Sequence, residues 1–239
     1  MPLPKISTPS YELVVPSTKK KVKYRPFLVK EEKILIMAME SQDSKQIANA
    51  IKDVLSACIL TKGVKVNDLS TFDIEYLFLN IRGKSVGEEV EVMVTCPDDG
   101  ETQVPTIINL DEIMIQTNKN HSPDIKLDDE YTLRMKYPSM DEFIKTNFNV
   151  DGSVNVDDTF KLIASCVDQV YSEDESWAGA DCTKKELNDF VESLNSKQFK
   201  DIEKFFDTMP KLSHTVKVTN PKTNKENEIV LEGLQSFFV

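Results

Sequence analysis

Apolar and polar residues alternate near the start of the chain, and the pattern then changes to helical spacing. Residues 12–15 and 21–24 have the pattern of two short strands, which predicts a β-hairpin with "PSTK" as its turn. Pro26 ends the second strand because proline cannot donate to a ladder. A helix is predicted over residues 31–39. A second helix, with Ser44 as its N-cap, carries an apolar stripe between Ile47 and Ile59.

The first half of the sequence closes with a further helix and a second hairpin. Ser70 and Asp73 have the spacing of a capping box and predict the start of a third helix. Val90, Val92 and Val94 then alternate with Glu91, Met93 and Thr95, which is the period of a strand. The sequence "PDDG" supplies the turn of this predicted hairpin.

The second half repeats this order. The stretch "DIKLDDEYTLRM" predicts a hairpin around Asp128 and Asp129. Three apolar stripes then predict helices. The residues of the stripes are Phe160, Ile163, Ala164, Val167 and Val170; Leu187, Phe190, Val191 and Leu194; and Phe199, Ile202, Phe205 and Phe206. A final hairpin ends in "LEGLQSFFV".

The two halves also share residues, which predicts a duplicated unit. The segment "VMVTCPDDGETQVPTIINL" from Val92 aligns without gaps on "VKVTNPKTNKENEIVLEGL" from Val216 and matches at five positions. Ordinary composition gives about one match over this length. We therefore predict an α+β fold of two pseudo-repeated modules, each β-hairpin–helices–β-hairpin, with antiparallel strands packed on helices. The predicted modules are residues 10–115 and 125–239, joined by a polar linker at 116–124.

The charge balance limits the classes of partner. The chain of 239 residues has a formal net charge of −11, which repels phosphate backbones and argues against general nucleic-acid binding. Its longest apolar run is "ILIMAM" from Ile34, far short of the roughly 20 residues of a membrane helix. The start of the sequence does not read as a signal peptide. We therefore expect the protein to stay in the compartment where it is made, with its four cysteines reduced.

One loop has the outline of a calcium site. In "NFNVDGSVNVDD", residues 147–158, the first ligand positions carry Asn147, Asn149 and Asp151, and Asp158 occupies the twelfth. Asparagine in the first position and aspartate in place of the bidentate glutamate both weaken calcium binding. The alternative is a connection between helices built from Asx turns.

Other chemical motifs are incomplete. "CPDDG" from Cys96 resembles half of a zinc knuckle, but Asn220 replaces the cysteine in the second hairpin, so no metal or other cofactor is predicted. "RGKS" from Arg82 lacks the first glycine of a phosphate-binding loop. His121 and His214 have no serine or cysteine partner that the sequence supports. We expect no enzymatic activity, and a hydrolase with a site invisible in the sequence is the alternative.

Several stretches together resemble a known family. They are "VPSTKKKVKYRPFLVKEEKILIMAME", "KGVKVNDLSTFDIEYLFLNIRGKSVGEEVEV" and the closing "LEGLQSFF". This set resembles the baseplate hub subunits and hub assembly proteins of T-even-type contractile-tailed bacteriophages. The resemblance implies a non-enzymatic tail protein of the baseplate central hub, either a structural subunit or a chaperone-like assembly factor. A calcium-responsive protein-binding module is the alternative function.

The resemblance also implies partners and a location. The expected partners are other baseplate hub or tail proteins, without nucleic acid or membrane, and the oligomeric state is left open. The expected location is the host bacterial cytoplasm during assembly, with the virion baseplate as a further possibility. The residues predicted to contact partners are Lys19, Lys20, Lys21, Arg25, Trp177, Phe237 and Phe238. For the lysines the alternative is solvation of a sheet edge, and for Trp177 it is packing.

Overall fold

The computed structural model describes residues 6–140, 142, 156–233 and 236. The helices in this part of the chain are α1 (Val29–Glu40), α2 (Ser44–Cys58), α3 (Thr71–Val86), α4 (Val156–Ser165), α5 (Lys184–Ser193) and α6 (Ser196–Thr208). The strands are β1 (Tyr11–Val14), β2 (Lys21–Tyr24), β3 (Glu89–Thr95), β4 (Gln103–Asn109), β5 (Met114–Gln116), β6 (Asp124–Lys126), β7 (Thr132–Met135), β8 (Val167–Tyr171), β9 (Ser176–Ala178), β10 (Lys211–Thr219) and β11 (Glu226–Glu232). The strands form small antiparallel sheets, so the predicted α+β class is confirmed.

The elements group into two compact units. Unit 1 consists of Met1–Val66, Phe72–Gln116 and Lys211–Val239, and unit 2 of Asn67–Thr71 and Thr117–Pro210. Unit 1 contains the sheets β1-β2, β3-β4 and β11-β10-β5. Unit 2 contains the sheet β6-β7-β8-β9.

The two units differ from the predicted modules in the placement of the last hairpin. β10 pairs with β5, with Leu212 opposite Ile115, and Lys211–Val239 is grouped with unit 1. The bounds of the predicted modules stay a prediction. A strand pairing between distant segments has no local sequence signal. The duplication of a whole module stays a prediction.

The core of unit 1 is built around α3. The apolar residues of this helix are not confined to one face, and helices of that kind are buried. Phe72, Ile74, Leu77, Phe78 and Ile81 are each at most 3% exposed. The alternating valines of β3 are also buried and confirm the predicted strand period.

The start of α2 corrects one detail of the prediction. The N-cap is Asp43 and not Ser44. One oxygen of the Asp43 carboxylate accepts hydrogen bonds from the backbone N–H groups of Lys45 and Gln46, at 2.8 and 3.3 Å. Aspartate and serine are both good N-caps, so local propensity does not separate the two positions.

Unit 2 packs its helices on the sheet β6-β7-β8-β9. Its buried cluster joins Leu133 of β7, Val167 of β8 and Ile202 and Phe205 of α6, all at most 2% exposed. The prediction that Val167 and Val170 continue the helix of Phe160 is wrong. α4 ends at Ser165, and both valines lie on β8.

Candidate partner-binding groove

An apolar groove of about 500 Å³ opens on the surface of unit 2. Its walls come from the β6–β7 turn, strands β8 and β9, helix α5 and the start of α6. The apolar side chains that matter most for its shape are Leu127, Tyr131, Val170, Trp177, Leu187 and Phe190. This volume falls within the range of clefts that bind ligands or side chains of a partner.

A β-bulge explains why two valines spaced three residues apart both line the groove. In a regular strand such residues point to opposite faces. Met135 pairs with Val167 but Arg134 pairs with Gln169, so Asp168 is the extra residue in β8. The bulge therefore returns Val170 to the same side as Val167, and both line the groove.

The floor of the groove also depends on a glycine. Gly179 follows β9 and begins a short 3₁₀ turn, Gly179–Asp181. A Cβ atom at this position would lie 2.3 Å from the carbonyl oxygen of Val167 and 3.2 Å from that of Asp168. Only glycine allows the chain to pass this close to β8.

Two aromatic rings stand at the mouth of the groove. Trp177, in the centre of β9, is 43% exposed and pairs across the sheet with Val170. Its ring centroid lies 6.1 Å from that of Tyr131. A large, half-exposed tryptophan beside an apolar cleft is the type of residue that supplies much of the binding free energy at protein interfaces. The structure thus places this predicted contact residue in a surface groove.

The charged residues that line the groove are both acidic. Asp128 accepts hydrogen bonds from the backbone N–H groups of Glu130 and Tyr131, at 2.9 and 2.7 Å. Glu186 belongs to the capping box of α5 and accepts from the backbone N–H and the hydroxyl of Thr183, both at 2.7 Å. These hydrogen bonds lower the pKa of both carboxyl groups, which keeps them ionised near neutral pH.

The electrostatic potential at the mouth of the groove is negative. A hydrogen bond with the Glu130 carboxylate and its charge raise the pKa of the Tyr131 phenol. Burial and the charges of Glu175 and Asp128 raise it further. Several carboxylates therefore act on one phenol beside Trp177. A cation that approached this mouth would be attracted.

The predicted lysine cluster forms a second exposed feature, in unit 1. Lys19, Lys20 and Lys21 are exposed at the β1–β2 turn, and Lys19 adopts a left-handed backbone with φ of +56°. The turn is fixed to α3 because Ser17 donates from its backbone N–H to Asp73 at 2.9 Å and also from its hydroxyl. The lysines are thus held on an ordered hairpin.

Arg25, also predicted to contact a partner, has an intramolecular role. Its guanidinium is 15% exposed and lies 3.1 Å from the carboxylate of Glu31, which is 3% exposed. Glu31 also accepts from the backbone N–H of Leu28 at 2.7 Å and so caps α1. The ion pair fixes the end of β2 to the first turn of this helix.

The two hairpin turns compared in the sequence have similar backbone hydrogen bonds but differ by one residue in length. The N–H of Cys96 donates to Thr102 and that of Asn220 to Lys225, at 2.8 and 2.9 Å. In each turn a later residue donates back at 2.9 Å, Gly100 to Cys96 and Asn224 to Asn220. Both donors have positive φ, +69° and +57°.

These turns meet through hydrogen bonds between side chains. The Asn220 amide donates to one oxygen of Asp98 at 2.8 Å, and the Thr223 hydroxyl donates to the other. Burial raises the pKa of the Cys96 thiol, and Asp98 and Asp99 raise it further. The Asp98 carboxylate thus joins the two turns through hydrogen bonds.

The described part of the chain contains neither a cluster of metal ligands nor a membrane-spanning helix. In residues 6–140, 142, 156–233 and 236, no three His, Cys, Asp or Glu side chains are arranged to hold a metal ion. Over the same residues, no helix has the length and apolar character that crossing a bilayer requires. Most of the calcium-like loop at 147–158 lies outside the described residues, and Asp158 pairs with Lys161 at 2.9 Å.

Residues 8–239 match a family described as T4 bacteriophage base plate protein. The chain belongs to this family. It is thus a structural protein of a T4-type phage baseplate, and the resemblance noted in the sequence is confirmed at that level. Among curated proteins and solved structures, no match was found.

The predicted contact residues of this baseplate protein lie in both units. Trp177 lines the groove of unit 2, while the lysine cluster lies on unit 1. Phe237 and Phe238 lie outside the described residues. Sequence reasoning missed Tyr131, Asp128 and Glu186. The apolar stripe of Leu187, Phe190 and Leu194 was a signal, but it was used only to predict a helix.

Proposed function

We propose that this baseplate protein is a subunit or an assembly factor of the baseplate central hub and acts through contacts with other tail proteins. The observation that carries the proposal is the family match over residues 8–239. The combination of "PSTKKK", "RPF" and "KEEK" supports the hub in particular, because it resembles hub proteins. The groove with Trp177 supports action through protein contacts.

The environment of the reactive side chains supports a role without catalysis. Burial raises the pKa of the Cys58 thiol to about 11 and that of Cys166 to about 12. Both thiols therefore stay protonated at neutral pH and are poor nucleophiles. Both ring nitrogens of His121 are hydrogen-bonded, to Thr208 and to Tyr137, each at 3.0 Å. This imidazole serves packing.

Co-expression tests the proposal. The full-length chain, carrying an affinity tag, is produced together with each candidate hub protein of the same phage. We expect at least one hub protein to co-purify in a fixed ratio and to remain bound through size-exclusion chromatography. If the protein binds none of the hub components but binds another baseplate component, it belongs elsewhere in the baseplate.

A second measurement separates a subunit from an assembly factor. Mass spectrometry compares purified phage particles with lysate of infected cells. A subunit is present in both, in the host cytoplasm during assembly and then in the virion. An assembly factor is present in the lysate alone.

A further inference from the structure

We propose that the groove of unit 2 binds an amphipathic helix of a partner protein, with apolar side chains in the groove and lysine or arginine at its rim. The inference deepens the proposed function, since it names the chemistry of the partner segment. Three observations carry it: the apolar lining, the acidic rim and the exposed aromatic pair.

The lining selects apolar side chains at helical spacing. Leu187 and Phe190 of α5 and its C-cap Leu194 form one wall, and Val170 and Trp177 form the other from the sheet. A groove between a helix and a sheet matches the apolar face of a docking helix, whose contact residues recur at three- and four-residue steps. Such contacts bury apolar surface on both partners.

The rim selects basic residues. Asp128 and Glu186 lie in different elements that line the groove, the β6–β7 turn and α5. The described hydrogen bonds use Oδ1 of Asp128 and Oε2 of Glu186, which leaves a second oxygen on each to accept from a lysine or arginine. Glu130 and Glu175 add negative charge beside Tyr131.

The charge of the whole chain argues against a second copy as the occupant. Two chains of net charge −11 repel each other, whereas a basic partner is attracted and its association is accelerated. The rim therefore favours a different protein with a basic segment.

The chain contains two reporters for the test. Trp177 is its single tryptophan, so tryptophan fluorescence reports on the groove alone. Cys182 also lines the groove and is partly exposed, whereas Cys58, Cys96 and Cys166 are buried. Its alkylation by iodoacetamide is a second, independent readout.

The probes are a short amphipathic leucine–lysine peptide and its leucine–glutamate counterpart, titrated into the full-length protein. We expect the lysine peptide to shift the Trp177 emission to shorter wavelength and to slow alkylation of Cys182. The glutamate peptide should do neither at the same concentration. Added salt should weaken binding of the lysine peptide.

Charge-matched variants separate the groove from the general acidity of the protein. Asp128→Asn with Glu186→Gln should weaken the lysine peptide about tenfold, because two rim charges are lost. Asp129→Asn with Glu192→Gln removes the same charge from the same turn and the same helix at positions that do not line the groove. This control should change affinity less than about twofold.

Three results would overturn the inference. The first is that both double variants weaken binding of the lysine peptide equally, and the second is that the glutamate peptide binds as tightly as the lysine peptide. The third is that Cys182 becomes protected by self-association as the protein is concentrated. If the groove fails in this way while a hub protein still co-purifies, the proposed function stands and the contact lies on another surface.

Discussion

Removing the charge of Glu31 tests how the first hairpin is fixed to the helices of unit 1. Glu31→Gln keeps the shape and the acceptor for the Leu28 N–H but leaves the Arg25 guanidinium, 15% exposed, without its counter-ion. Breaking a buried pair costs about 3–5 kcal/mol. Arg25 also donates to the Pro26 carbonyl at 2.9 Å and keeps some solvent contact. We therefore expect a loss of about 2–3 kcal/mol in the free energy of unfolding.

Lys30 supplies a matched control for this prediction. Its ammonium lies 3.3 Å from the same Glu31 carboxylate but is 71% exposed. Solvent screens such a pair, so Lys30→Ala should cost less than about 1 kcal/mol. Arg25→Met combined with Glu31→Gln should destabilise by less than the sum of the single changes, because both remove the same interaction.

The pH dependence of stability gives a further check on the same pair. Burial alone raises the pKa of Glu31, but hydrogen bonds from Arg25, Leu28 and Lys30 outweigh it and lower the pKa below its ordinary value. This stabilisation is present above the unfolded pKa, about 4.3, and is lost as the pH falls through the folded pKa. The Glu31→Gln variant should therefore lose less stability than the unsubstituted protein as the pH falls through this range.

Equilibrium urea unfolding followed by far-UV circular dichroism measures these effects. The reasoning would be refuted if Glu31→Gln cost no more than Lys30→Ala, or if the changes at Arg25 and Glu31 were additive. Unchanged acid sensitivity in Glu31→Gln would contradict the assignment of the pKa effect.

Three other predictions concern stability and reactivity. Gly179→Ala should lower the free energy of unfolding by about 1–3 kcal/mol because its Cβ meets the backbone of β8. Gly83 lies inside α3, and a Cβ there would make only ordinary contacts with Glu88 and Leu110, so Gly83→Ala should raise the free energy of unfolding by about 0.5–1 kcal/mol in the same urea titration. Iodoacetamide followed by mass spectrometry should label Cys182 in the native protein and the other three cysteines only after unfolding. Burial lowers the pKa of His121, so the free energy of unfolding should fall as the pH drops below about 6.5 towards the folded pKa. In His121→Gln, the free energy of unfolding measured with urea should change less with pH in that range. Native labelling of all cysteines, or pH profiles that coincide, would contradict these expectations.

Local patterns predicted much of the fold because they depend on neighbours in sequence. The alternating valines of β3 form a strand, and the two hairpins at β1–β2 and β6–β7 occur where turn residues interrupt alternation. The third helix, predicted to start at Ser70, likewise begins at Thr71. In each case one short segment contains all the information.

Local patterns were not enough where distant segments decide the structure. Val167 and Val170 have helical spacing, but pairing with β7 and the bulge at Asp168 make them a strand. β10 joins unit 1 because it pairs with β5, nearly one hundred residues earlier in the sequence. The groove itself needs Tyr131, Trp177 and Phe190 to meet, and their spacing in sequence contains no sign of it.

The measurement that tests the account most directly is the alkylation rate of Cys182 in the complex purified from co-expression with a hub protein. The account predicts that bound partner slows this rate at least about tenfold relative to the free protein, and that Asp128→Asn with Glu186→Gln weakens the complex. An intact, stoichiometric complex in which Cys182 reacts as fast as in the free chain would contradict it.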